Sequence, residues 1–143
     1  MRYKVFLDTN ILLSGIFFEG NESKILDLIE IEFVTSEDVV DELFEVVKKK
    51  LKHLKERNLE IALAETDRAL SDIVVVQRSK YAKKVHEAES LISHKKDVPI
   101  LAAVLSVKPD YFLTGDSHFF TDKIKDAVTV MTAREFLDKI KMK

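Results

Sequence analysis

At 143 residues the chain is long enough for one domain with a sizeable core and too short for two ordinary ones. Hydrophobic content of 46% beside 34% charged residues describes a globular protein, and the absence of cysteine excludes a disulfide framework and thiolate chemistry. A formal net charge of -2 excludes nucleic-acid binding by bulk positive charge, so a polyanion partner has to be held by a local patch or by metal ions. No apolar run approaches the length that spans a bilayer and no secretory signal precedes the first strand, so a cytoplasmic protein without membrane contact is expected.

In chain order, Val5, Phe6 and Leu7 are apolar without alternation, the pattern of a strand buried on both faces of a parallel sheet. The run stops at Asp8, followed by Thr9 and Asn10. An acid at a strand's carboxyl end stands where open α/β sheets bind ligands; the other reading of Asp8 is an N-cap for a helix beginning near Ile11. Short helices are expected over residues 11–18 and 23–31, the second with Ile25, Leu28 and Ile29 on one side. Residues 32–35 read as a strand and Ser36 as the cap of a long helix, whose buried stripe is Val40, Leu43, Val47, Leu51 and Leu54. Glu42 lies near that helix's first turns, and its lysine-rich end, residues 48–57, reads as a solvated face rather than a phosphate-contacting ridge. Residues 59–70, with Ile61, Ala62, Ala69 and Leu70, complete a helical hairpin.

Asp72 is followed by the β-branched run from Ile73 to Val76, which reads as a second buried strand, and Tyr81, Val85, Ala88 and Ile92 mark the helix after it. Asp97 before Val98 and Pro99 signals a helix start, and residues 100–107 are an almost wholly apolar helix. Tyr111, Phe112, Leu113 and Thr114 form a third buried strand ending in Gly115-Asp116, the layout of Leu7-Asp8 repeated. Phe119 and Phe120 are expected to anchor the next turn in the core. A last strand over residues 128–131 precedes a terminal helix through Met142, opened by the capping-box pair Thr132 and Glu135. This alternation predicts a Rossmann-like three-layer α/β/α sandwich around a mainly parallel sheet.

In such a sheet each strand feeds a helix that returns antiparallel to it, so strand ends and helix starts share one rim. Asp8 and Asp116 end strands, Glu42 and Asp97 open helices, and four acids distant in sequence converge. Two carboxylates about 4 Å apart repel by about 4 kcal/mol at an effective dielectric near 20, which a divalent cation relieves. Oxygen ligands without Cys or a paired-His motif suit Mg²⁺ or Mn²⁺. Such ions activate water and stabilise an oxyanion leaving group, and phosphodiester hydrolysis is the reaction class that follows. Each acid also has an ordinary reading: Glu42 as a dipole-favoured first-turn residue, Asp97 as an N-cap, Asp116 as a turn residue after glycine.

Asp8-Thr9-Asn10, Glu42-Leu43, Asp97 ahead of Ile100-Leu101-Ala102-Ala103, and Thr114-Gly115-Asp116 after a hydrophobic strand together resemble the PIN-domain family over essentially the whole chain. The resemblance implies a metal-dependent endoribonuclease with an RNA substrate. It further implies Asp8, Glu42, Asp97 and Asp116 as the metal-binding catalytic tetrad, and Asn10 as the polar residue that orients these acids. Many relatives are dimeric toxins held in check by an antitoxin protein, so a homodimer or higher homo-oligomer with an antitoxin partner is expected. Family members often carry a further Asp two residues beyond the last tetrad acid, where this chain has His118. That leaves a second metal less assured, and His118 is either a contact for a scissile phosphate or a ligand water, or an ordinary turn histidine that does neither. Thr114 and Ser117 are placed to hydrogen-bond substrate phosphate or to cap the turn, and Lys95 and Lys96 beside Asp97 to neutralise RNA near the metal.

The competing class is a catalytically idle PIN-like module that binds RNA or protein; retention of four acids speaks against it. A haloacid-dehalogenase-like phosphatase would need an acid where Asn10 stands, and a receiver domain would need adjacent acids early, where only Asp8 is found.

Overall fold

The first strand, β1 (Tyr3–Leu7), is central: Val5, Phe6 and Leu7 are fully buried, as an unbroken apolar run between two helical layers requires. The computed structural model describes residues 2–52 and 59–141. In chain order α1 (Thr9–Phe17), α2 (Asn21–Leu26), β2 (Ile31–Ser36), α3 (Glu37–Lys52) and α4 (Leu59–Leu70) form the first half. β3 (Val74–Val76), α5 (Arg78–Tyr81), α6 (Val85–Leu91), α7 (Val98–Val107), β4 (Tyr111–Leu113), α8 (Asp122–Ala127), β5 (Val130–Met131) and α9 (Ala133–Lys141) follow.

All four strand pairings are parallel and the spatial order is β3-β2-β1-β4-β5. The order reverses between β1 and β4, the switch point at which open α/β sheets leave a crevice beyond the strand ends. The register sets Leu7 beside Leu113, so Asp8 emerges next to Thr114. Helices cover the sheet as expected. α1 packs on α2 and α3, and α2 on α9; the apolar α7, with seven buried residues, packs on α5 and α6. Phe112 joins the layers through edge-on contacts with Phe6 and Phe119, ring centroids 5.6 and 5.1 Å apart. Phe119 is thus the core anchor expected of it.

Several local expectations change. α2 ends at Leu26 rather than reaching residue 31, and Ile29, expected on its buried side, is 89% exposed. The buried stripe of α3 starts at Val39, with Leu43 and Val47, while Val40 is only half-buried; the side chain of Leu51, Leu54 and the basic run from His53 to Arg57 lie outside the described residues, as does Met142. Lys48, Lys49 and Lys50 are exposed, the solvated face.

The valine run is an edge strand, not a buried one. Val74 is 51% exposed and Val75 38%, because β3 has a neighbour only on the β2 side. Residues 78–91 are two helices separated by a 3-10 turn, and α8, capped by the Thr121 hydroxyl, had no counterpart in the periodicity. The capping box at α9 is reciprocal. Thr132 N–H donates to Glu135 Oε1 at 2.9 Å, and Glu135 N–H to Thr132 Oγ1 at 3.1 Å.

Candidate active site

Asp8 is both readings at once. It is the N-cap of α1, its Oδ1 accepting from Thr9 N–H at 2.8 Å, and it is the first residue beyond β1, only 4% exposed. Its other oxygen, Oδ2, accepts from the Thr114 hydroxyl at 2.6 Å. That hydroxyl in turn accepts from Asp116 N–H at 3.0 Å, so one buried threonine ties the ends of β1 and β4 together. Asn10 adds a second tie, its Oδ1 accepting from Gly115 N–H at 3.1 Å. Asn10 therefore fixes the turn that carries Asp116. Thr114 is fully buried, and its hydroxyl is engaged on both sides, by Asp8 and by Asp116 N–H.

Burial, with smaller contributions from the negative charges of Glu42 and Asp116, pushes the Asp8 carboxyl up to about 6 against the opposing hydrogen bonds from Thr114 and Thr9. Glu42 and Asp116 are thus near enough to Asp8 for mutual repulsion. The acids flanking Glu42 are engaged elsewhere. Asp41 pairs with Arg78, and the exposed Glu45 with Lys49 at 3.7 Å. Arg78 also pairs with Asp38 at 3.3 Å, and its backbone N–H donates to Glu37 Oε1 at 2.6 Å, which fastens the chain after β3 to the first turn of α3.

Asp97 precedes α7 but its side chain makes no capping hydrogen bond. Its carboxylate, on a residue 9% exposed, meets His118 instead, with Oδ2 2.8 Å from Nδ1. The same nitrogen lies 3.4 Å from Asp116 Oδ1, so His118 stands between two of the acids. Asp116 Oδ1 accepts from His118 N–H at 2.9 Å, which shapes the 3-10 turn over Ser117–Phe119. The ring of His94 stacks on that of His118, centroids 3.6 Å apart and 12° from parallel.

The four acids therefore fall into two linked pairs. Asp8 and Glu42 interact through charge, Asp97 and Asp116 through the imidazole between them, and Asp116 also acts on Asp8. Among the described residues, the group whose ligating atoms all come within 4.8 Å of one another is His94, Asp97 and His118, not three of the four acids. His94 had no part in the sequence reading. The signal was His94-Lys95-Lys96-Asp97, a histidine three residues before an acid in a turn, too short to stand out. Ser117 is exposed at the mouth, and Lys95 and Lys96 are exposed without an ion pair to any of the four acids.

The residues present fit a divalent cation. The Thr9 hydroxyl, next to Asp8, is the buried side-chain atom among the described residues without a hydrogen-bond partner. A carboxyl lifted towards neutrality by burial and by two like charges is the condition that a bound cation reverses.

A Rossmann-like α/β sheet with acids gathered around its switch point is the class of protein defined so far. The chain belongs to the PIN-domain family, whose model matches residues 6–139. Comparison with curated protein sequences gives no match. Solved structures with similar folds include VapBC2 from Rickettsia felis bound to a DNA fragment from their promoter, with 19% identity, TM-score 0.64, and 90% of this chain and 98% of that one covered. PAE2754 from Pyrobaculum aerophilum has 12% identity and a TM-score of 0.65, with 99% and 91% covered. Mycobacterium tuberculosis VapC20, described as a Sarcin-Ricin loop cleaving toxin, has 16% identity and a TM-score of 0.58, with 87% and 96% covered.

Proposed function

We propose that this chain is a divalent-metal-dependent endoribonuclease and the toxin of a toxin-antitoxin pair, acting in the cytoplasm as a homodimer or higher homo-oligomer that an antitoxin protein inhibits. The observation that carries the reading is the buried Asp8 at the end of the central strand, under the negative charges of Glu42 and Asp116. The family and the toxin structures that share its fold support an RNA substrate and an antitoxin partner.

Asp8, Glu42, Asp97 and Asp116 would hold Mg²⁺ or Mn²⁺, which when bound supplies an acidified water and charge stabilisation at the scissile phosphate. The chain's own part is positioning. Thr114 fixes Asp8 Oδ2 and the backbone of Asp116 with one hydroxyl, and Asn10 holds Gly115. His118 keeps Asp97 and Asp116 apart and offers the rim a nitrogen donor. Ser117 is placed to hydrogen-bond substrate phosphate, and Lys95 and Lys96 to offset its charge. Among the described residues no helix is long and apolar enough to cross a membrane.

The test is cleavage of a panel of structured RNAs by purified protein, with the melting temperature read in parallel. Mn²⁺ or Mg²⁺ should support cleavage and raise the melting temperature, and chelator and Asp116→Asn should remove both effects. Cleavage indifferent to chelator would end the metal mechanism. No cleavage in any metal, with Asp116→Asn binding RNA as the wild type does, would favour an idle RNA-binding module.

A further inference from the structure

We propose that His94, Asp97 and His118 form a cation site of mixed nitrogen and oxygen character, which takes a borderline divalent transition ion in preference to Mg²⁺. One ligating atom from each lies within 4.8 Å of the others. Ligands of a four-coordinate ion with bonds near 2.0–2.1 Å stand roughly 3.4 Å apart, so the set closes once His94 turns towards the other two. Two of the three are already closer, His118 Nδ1 and Asp97 Oδ2 at 2.8 Å.

Two of the three ligands are held from behind. Asp97 is buried and its N–H donates to the His94 carbonyl at 3.0 Å, a turn that sets both residues on one side. His118 has its backbone N–H fixed on Asp116. The stacked rings are nearly parallel, so their in-plane lone pairs cannot both meet one ion as they stand. His94 has to turn, and as an exposed residue it is free to do so.

A way in exists. A cavity of about 440 Å³ runs between the end of α6 and the turn after β4, lined by His94 and His118 with Ser90, Ser93, Ser117, Thr121 and the basic Lys123. The serine and threonine hydroxyls suit the waters that would complete a coordination shell. Mg²⁺ favours six oxygens, whereas imidazole nitrogens favour the later first-row ions, Zn²⁺ and Co²⁺ above Mn²⁺.

The site shares Asp97 with the proposed nuclease centre and deepens that reading by naming a second class of ion that binds beside it; it rests on that reading for catalysis and not for binding. The experiment titrates the chelator-stripped full chain with Co²⁺, followed by visible absorption, and with Zn²⁺ and Mg²⁺, followed by calorimetry and thermal shift. Wild type should show the d–d band of nitrogen-ligated Co²⁺ and bind Zn²⁺ more tightly than Mg²⁺. His94→Ala should weaken Zn²⁺ at least about tenfold while the Mg²⁺ thermal shift persists, and His118→Asn should abolish the Co²⁺ band. Asp8→Asn should keep that band. Co²⁺ spectra and Zn²⁺ affinity unchanged in a His94→Ala, His118→Asn double variant would overturn the site even if metal-dependent cleavage is observed. Histidine-dependent Co²⁺ binding without RNA cleavage would support the site and remove only the nuclease reading.

Discussion

Asp8 is a cap and a buried acid in one residue, and its protonation couples the site to stability. Its carboxyl sits near 6 in the folded chain against 3.8 ordinarily, so between those values the folded state binds the extra proton and stability falls as pH rises. Above about pH 6 the metal-free protein carries the whole penalty, roughly 3 kcal/mol from the size of the shift. Asp8→Asn should therefore raise the melting temperature in chelator at pH 7.5 and give little gain at pH 4, read by calorimetry at both. Thr114→Val should act oppositely. It removes the hydroxyl from Asp8 Oδ2 and leaves Asp116 N–H without its partner, which should lower stability by about 1–2 kcal/mol and move the Asp8 titration higher still, seen by NMR.

The same scale explains what the sequence could reveal of the site. The approach of Asp8 to Glu42 and Asp116, and of Asp97 to Asp116 across His118, was readable because parallel topology delivers strand ends and helix starts to one rim. His94 was not, because its meeting with His118 depends on how two turns 24 positions apart fold over each other.

Among the elements, β1, β4 and α7 were readable because each is buried on every side, so composition alone declares it. β3 has the same valine-rich composition, yet its exposure follows from lying at the sheet edge, which only the strand order decides. The end of α7 supports a prediction at this level. Lys108 closes the helix in the left-handed region, φ 54°, the conformation that disfavours a Cβ and favours glycine. Lys108→Gly should stabilise the chain by roughly 0.5–1 kcal/mol in urea unfolding, relief of the side-chain clash exceeding the added chain entropy. A loss of stability would show that Lys108 contributes a contact of its own.

Taken whole, the molecule has a net charge of -2 and an acidic rim, so it has no general field to draw a polyanion. Under the nuclease reading, RNA affinity has to come through bound ions. Chelation should weaken binding of an uncleaved RNA by at least about tenfold at 150 mM salt in a filter assay, with a shallower salt dependence than that of basic RNA-binding proteins. The three-layer architecture was legible at this level because regular alternation of strand and helix admits few arrangements.

The Thr114–Asp8 hydrogen bond spans 106 positions of sequence, and the Gly115–Asn10 bond 105. Both halves of the acid cluster are therefore far from each other on the ribosome, and β4 has to emerge and dock beside β1 before Asp116 takes its place. A chain still being translated carries Asp8 and Glu42 but no finished centre. Under the nuclease reading the long sequence gap acts as a timer, withholding activity until β4 has been made and has docked beside β1.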